Sequence, residues 1–346
     1  MRKFIVYVLC LFLPVYGCIA VTNYIVDPGN IYSEDYVDKV IEGARKGLNV
    51  TNVEEMDHRI YKRKLAELYY GQTFDYLVLG SSRTMTISSE SVCGKRIINM
   101  SVTQCTTEDL IALYEIIKEC RINISNVILG VDPTLFNGTY HSNRWKSISE
   151  YYYKFFGKEK SESINYAILE NLLSISYFKT SLNCITKRIS GELEMQYTMS
   201  LVNKHKTRRP DGSHYYGLKD HQKSQREIDE DAKSGEIQDY FLDFEELSQE
   251  KINEFESLIH SMQCDKPNVV FFLCPYHPVF YKRIININGI NKGIDYIKYY
   301  AKKNNIKTIG EFDPRNLKIV NRDFYDKVHA KKELIDSIIY KSICLN

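Results

Sequence analysis

The sequence predicts an α/β domain built on a five-stranded parallel sheet with helices on both faces. Three observations predict it. Five short, nearly continuous apolar runs lie at residues 74–79, 95–102, 126–131, 268–274 and 307–312, and unbroken apolar strands belong to parallel sheets covered on both sides. Amphipathic helical patterns alternate with them, as a doubly wound sheet requires. Several runs stop at turn-forming residues: Gly80-Ser81-Ser82, Asp132-Pro133 and Pro275.

Taken in order, the chain of 346 residues opens with Met1-Arg2-Lys3 and then an uncharged stretch over 4–26, closed by Asp27-Pro28. That is long enough for one membrane-spanning helix of roughly 20 residues. The leading positive charges place the N-terminus in the cytoplasm and send the rest across, so residues 1–27 read as a single-pass anchor and the main domain as extracytoplasmic. A cleaved signal peptide and a lipoprotein signal at Cys18 are the rival readings. Residues 28–70 are polar and read as a helical linker or packing segment. The α/β domain fills 71–346. Its helices are expected at 107–120, with Thr106 or Thr107 as cap, and at 249–262, 293–303 and 331–343. Between 137 and 247 the alternation lapses. This stretch reads as a largely helical insertion on the core, and loops on a rigid scaffold often set substrate choice.

Composition excludes some functions. The formal net charge is +2 with both signs interspersed, which gives no argument for a nucleic-acid partner. Tyrosine is abundant at 27 and tryptophan occurs once. Nine cysteines show no C-x-x-C and no zinc spacing, so no metal and no cofactor are expected. Nucleotide-binding glycine motifs, H-E-x-x-H and G-x-S-x-G are all missing.

Two segments can carry chemistry. A buried strand ending at Gly80-Ser81-Ser82 delivers hydroxyls to the carboxyl edge of the sheet, where ligands bind in open parallel sheets. Phe324-Tyr325-Asp326-Lys327-Val328-His329 places a carboxylate and an imidazole three residues apart before the last helix. A serine hydroxyl needs a base, histidine is the usual one, and a carboxylate orients its ring. Alone, each has a plain structural reading: a strand ending in small polar residues, and an aspartate capping a helix beside a surface histidine.

Together, Gly-x-Ser after the first strand and Asp-x-x-His before the last helix resemble the SGNH/GDSL hydrolase superfamily. Closest in pattern is its membrane-anchored branch, similar to the DltD and AlgX/AlgJ type of polysaccharide O-acylation proteins. The resemblance implies a flavodoxin-like three-layer sandwich. It also implies Ser82 as nucleophile, Asp326 as orienting acid and His329 as general base. Ser101, in Asn99-Met100-Ser101, stands where the family places an oxyanion-hole glycine. Asp132 stands where an asparagine amide is expected, and a carboxylate cannot donate unless protonated. Arg83 is expected to supply positive charge or to pair with Asp132. Arg209, in Arg208-Arg209-Pro210-Asp211-Gly212-Ser213, is a candidate anion contact, and His277 a candidate substrate contact or spare base. Implied partners are a polysaccharide or glycan, the membrane through the N-terminal helix, and a membrane-bound O-acyltransferase. The expected function is a serine esterase or O-acyltransferase acting on acyl esters, acetyl foremost, of cell-envelope polysaccharide. The alternative is a non-catalytic glycan-binding or assembly protein on the same fold.

Overall fold

The computed structural model describes residues 2–159, 166–192, 194–265 and 267–345. Nine strands occur among them: β1 (Asn49–Thr51), β2 (Thr73–Leu79), β3 (Ile97–Asn99), β4 (Asn123–Gly130), β5 (Gln196–Thr198), β6 (Thr207–Arg208), β7 (His214–Tyr215), β8 (Asn268–Leu273) and β9 (Lys307–Gly310). All five expected apolar runs are strands. They form one parallel sheet in the order β3-β2-β4-β8-β9. The chain therefore starts near the middle, steps once to one edge, then returns across to the other. This is the flavodoxin-like order, and it puts a switch point at the carboxyl ends of β2 and β4.

Side chains alternate across the sheet with period two. Leu77, Leu79, Val127, Leu129 and Phe271 face one hydrophobic layer. There they meet Leu110, Leu113 and Ile117 of helix Thr107–Glu119, Phe255 and Leu258 of helix Gln249–Asp265, and Ile297 of helix Asn288–Lys303. Val78, Ile128, Val270 and Phe272 face the other layer, covered by Ile335 and Ile339 of helix Lys332–Ile343. Thr106 caps its helix as expected, accepting from Asp109 N while the Asp109 carboxylate accepts from Thr106 N at 2.9 Å.

Residues 28–70 depart from the helical expectation. Helices Asp35–Arg45 and His58–Leu68 flank β1, which pairs with β5 and β6 in a second, antiparallel sheet of order β5-β1-β6-β7. Three of its four strands belong to the insertion, so that region is less purely helical than its polar sequence predicts. At the two ends of residues 137–247, Asn137 bridges Leu247, and Ser248 N donates to Phe136 O.

Arg2–Val26 forms one helix. Residue 1 and the side chains of 2–11, part of the expected anchor, lie outside the described residues; among the described residues no helix is long and apolar enough to cross a membrane. The helix packs on Tyr166–Leu173 and Ile175–Ile189. Asn23 is fully buried there and donates to Asn171 O and Leu172 O. Cys93 and Cys344, 251 residues apart, form a disulfide that ties the end of the last helix to the turn after Ser82.

Candidate active site

β2 is followed by Gly80, whose φ of +150° suits only glycine. A side chain there would meet Thr84 Oγ1 at 2.7 Å, and one on Gly130, at the end of β4, would meet Thr84 Cγ2 at 2.4 Å. These two glycines let the tight Ser82–Thr84 turn sit directly on the ends of the central strands. Ser81 caps this turn and donates its hydroxyl to Asp132 Oδ2 at 2.7 Å. Ser82 is thereby left as the hydroxyl that projects from the sheet edge.

The other half of the site is a closed loop. Phe324 bridges Ala330, and Tyr325 N donates to His329 O. Inside it, Asp326 Oδ1 accepts from the backbone N–H groups of Val328 and His329 at 2.9 and 2.8 Å. This local turn explains why aspartate suits its place: its short side chain organises the backbone that carries the histidine. The carboxylate also binds His329 Nδ1, with Oδ2 at 2.8 Å and Oδ1 at 3.0 Å. His329 Nε2 lies 2.8 Å from Ser82 Oγ. Burial pushes the Asp326 carboxyl up, but the charge and hydrogen bond of His329 and the two N–H donors outweigh it and hold the group well below the usual carboxylate range. The hydroxyl–imidazole–carboxylate chain expected at Ser82, His329 and Asp326 is therefore assembled, with hydrogen-bond geometry at each link. Behind the imidazole, Tyr216 from the insertion packs on Tyr325 and His329, with ring centroids 4.3 and 6.0 Å away.

Beside Ser82, Arg83 and Asp132 form a buried ion pair. Arg83 also donates to Cys274 O and lies over the Tyr276 ring at 3.6 Å. Burial alone would lower the Arg83 pKa, but the Asp132 charge more than reverses this, so the guanidinium stays charged. The Asp132 carboxylate thus faces a cation and a hydroxyl donor, which answers its sequence-level conflict with a developing oxyanion.

Three expected site residues lie elsewhere. Ser101 is fully buried; its N–H donates to Asn99 Oδ1 at 2.9 Å and its hydroxyl bonds Thr84 Oγ1, so it has no donor for an oxyanion. His277 is fully buried and caps helix Pro278–Ile284, accepting from Val279 N at 3.2 Å. Its Nε2 sits 3.4 Å from Asp229 Oδ1, out of line for a hydrogen bond, and its ring packs on Phe324. Arg209 makes a two-pronged salt bridge to Glu90 at 2.6 and 2.8 Å. Its turn instead braces the edge strand β3, where Asn99 N donates to Asp211 O.

Sequence reasoning missed Gln104. It lines the cavity beside Ser82 and has a left-handed φ of +49°. Arg59, buried and paired with Asp109, draws the Thr103 carbonyl to itself at 2.9 Å. In a trans peptide the next N–H points the opposite way, so Gln104 N–H points away from Arg59. Neither Gln104 N–H nor Ser82 N–H has an acceptor among the described residues. Both residues line the cavity, so these two N–H groups are the candidate oxyanion donors. Among the described residues no cluster of histidine, cysteine or carboxylate side chains could hold a metal ion.

From Ser82 a cavity of about 240 Å³ runs between the core and the insertion, which supplies one wall through Tyr140, Trp145 and Tyr240. No protein-family model matches this sequence, and no curated protein matches it.

Proposed function

We propose that this chain is an extracytoplasmic SGNH-like serine esterase or O-acyltransferase acting on acyl esters, acetyl foremost, of cell-envelope or secreted polysaccharide. One observation carries the reading: Ser82 Oγ, His329 and Asp326 form a continuous hydrogen-bonded relay beside a cavity. In the proposed reaction His329 Nε2 takes the Ser82 proton as Oγ attacks the ester carbonyl. The tetrahedral intermediate collapses, the alcohol leaves with that proton, and the acyl group remains on Ser82. Water or a sugar hydroxyl, deprotonated by His329, then takes the acyl group and frees the serine. Supporting the SGNH-type assignment are the flavodoxin-like strand order and the placement of serine and Asp-x-x-His at the two ends of the core.

The proposed location is the outer face of a membrane, with Arg2–Val26 as anchor and a membrane O-acyltransferase as partner. The Cys93–Cys344 disulfide supports an oxidising compartment. The N-terminal helix carries exposed Leu13, Val21 and Ile25, and the helices it packs against carry exposed Leu173, Ile175 and Leu182; exposed apolar side chains of this kind suit lipid contact. The second reading, a non-catalytic glycan-binding protein, is favoured by Asp132 standing where an amide donor is expected. Hydrolysis of a small chromogenic acetyl ester, abolished in Ser82→Ala, supports the enzyme. Glycan binding that survives this substitution, with no turnover of any ester, supports the binder.

A further inference from the structure

We infer that the insertion builds a subsite for a single sugar ring against Trp145, so that the ester presented to Ser82 is a sugar ester rather than a lipid ester. The inference rests on the esterase reading for the role of Ser82, and on the cavity alone for the ligand class.

Only two aliphatic side chains, Leu135 and Val328, border the cavity; the rest of its lining is aromatic or hydrogen-bonding. An acyl tail there would meet few aliphatic partners and would strip water from the unused lone pairs and N–H groups of the polar lining, at a cost of about 1–3 kcal/mol for each bond not replaced. A polyhydroxylated ring satisfies them and offers flat C–H faces to the aromatic walls. Trp145 is half-buried, and Tyr152 and Tyr153 pack on it with centroids 4.9 and 6.2 Å away. It is thus a braced surface rather than a loose side chain. Tyr140 and Tyr240 meet edge to face at 5.9 Å, joining the first and last segments of the insertion. On the core side, Lys251 is fixed by Glu108 at 2.6 Å and Glu254 at 3.2 Å. That ion pair borders the cavity with both a donor and an acceptor for ring hydroxyls. The charges at the cavity are largely internally paired, Arg83 with Asp132 and Lys251 with Glu108, which fits an uncharged ligand. The volume equals that of about eight waters, or roughly a dozen ligand heavy atoms at organic density. That is about one sugar ring, with the rest of a longer ligand lying outside the cavity.

Trp145 is the only tryptophan in the chain, so its emission reports this subsite directly. The full chain carrying Ser82→Ala is titrated with mono-O-acetylated methyl hexosides and, separately, with monohexanoylglycerol. A saturable emission change with the hexosides and none with the glycerol ester is expected. A response to the glycerol ester alone, or to neither ligand, overturns the inference. In the otherwise unchanged protein, Trp145→Ala is expected to lower kcat/KM for the sugar acetate relative to p-nitrophenyl acetate by about tenfold, and Trp145→Phe to restore part of it. An unchanged ratio in a folded Trp145→Ala protein also overturns it. If no ester is turned over yet the emission still saturates with hexoside, the esterase reading fails and the sugar subsite stands.

Discussion

Acid is expected to loosen the insertion through a half-buried cation that has histidines where a carboxylate would be usual. Arg208, on β6, directs Nη1 to His214 Nε2 at 2.5 Å and Nη2 to His58 Nε2 at 3.3 Å. A guanidinium only donates, so both Nε2 atoms accept and both imidazoles are neutral. Burial, and next the Arg208 charge, hold both histidines well below their ordinary pKa; Lys62, Arg59, Arg144 and Lys206 add to this from neighbouring elements. Glu55 faces Arg208 without forming an ion pair. As pH falls through about 6.5 the unfolded chain takes up two protons that the folded chain refuses, so stability falls with a slope that steepens toward about 2.7 kcal/mol per pH unit below about pH 5.5 while both stay neutral. Urea unfolding at pH 5.5, 6.0, 6.5 and 7.0 measures the slope, and the variant carrying His58→Gln and His214→Gln supplies the control, since an amide oxygen accepts from Arg208 without titrating. His205 and His277 are also held low, but they titrate equally in both proteins and cancel in the difference. Glu90, held to about 2 chiefly by its hydrogen bond to Arg209, and Asp326 act at lower pH. Between pH 6.5 and 5.5 the double variant is expected to lose about 2 kcal/mol less stability than the unsubstituted protein, because the unfolded histidines are only about half protonated at pH 6.5. An identical slope in the two proteins refutes the reasoning.

Three further outcomes follow from the site and its clamps. Asp326→Asn should lower kcat for a small ester by about 10³–10⁴-fold with little change in KM, because the imidazole loses its orienting charge; steady-state kinetics check this, and a loss below tenfold counts against the relay. Reducing the Cys93–Cys344 disulfide, or Cys93→Ser, should lower unfolding free energy by up to ~5 kcal/mol, given a closed loop of 251 residues; unchanged urea midpoints with and without reductant would remove that constraint from the account. Gln104→Gly should raise stability by roughly 0.5–1 kcal/mol, since it relieves a left-handed φ while keeping the N–H; a drop in thermal midpoint would show that the side chain has a stabilising contact.

The parallel sheet was legible because its strands are buried on both faces, and continuous runs such as Tyr76-Leu77-Val78-Leu79 announce that in one dimension. The Asp326–His329 spacing was legible for a related reason: the carboxylate binds backbone only two and three residues ahead, so the sequence holds the whole turn. The antiparallel sheet was not. β6 and β7 have two residues each, and β1 pairs with β5 across nearly 150 residues, so no apolar run marks them and tertiary context alone sets their register. The cysteine pairing was hidden by the same distance. Trp145 and Tyr240 reach one cavity from opposite ends of the insertion, and nothing local relates them.

Ser101 and Asp132 show where a family resemblance stops being informative. Both stand where oxyanion donors are expected, and from their identities alone the site looks damaged. What decides the matter is which N–H groups are already engaged. Ser101 N–H is taken by Asn99, while Asp132 is matched by Arg83 and Ser81 and leaves no free charge beside Ser82. The Thr103 carbonyl is turned toward Arg59, which leaves Gln104 N–H, like that of Ser82, without an acceptor among the described residues at the rim of the cavity. A single oxyanion donor is worth about 10²–10³ in kcat. Among the described residues neither of these two N–H groups has an acceptor, and this is what supports the proposed catalytic reading over the binder.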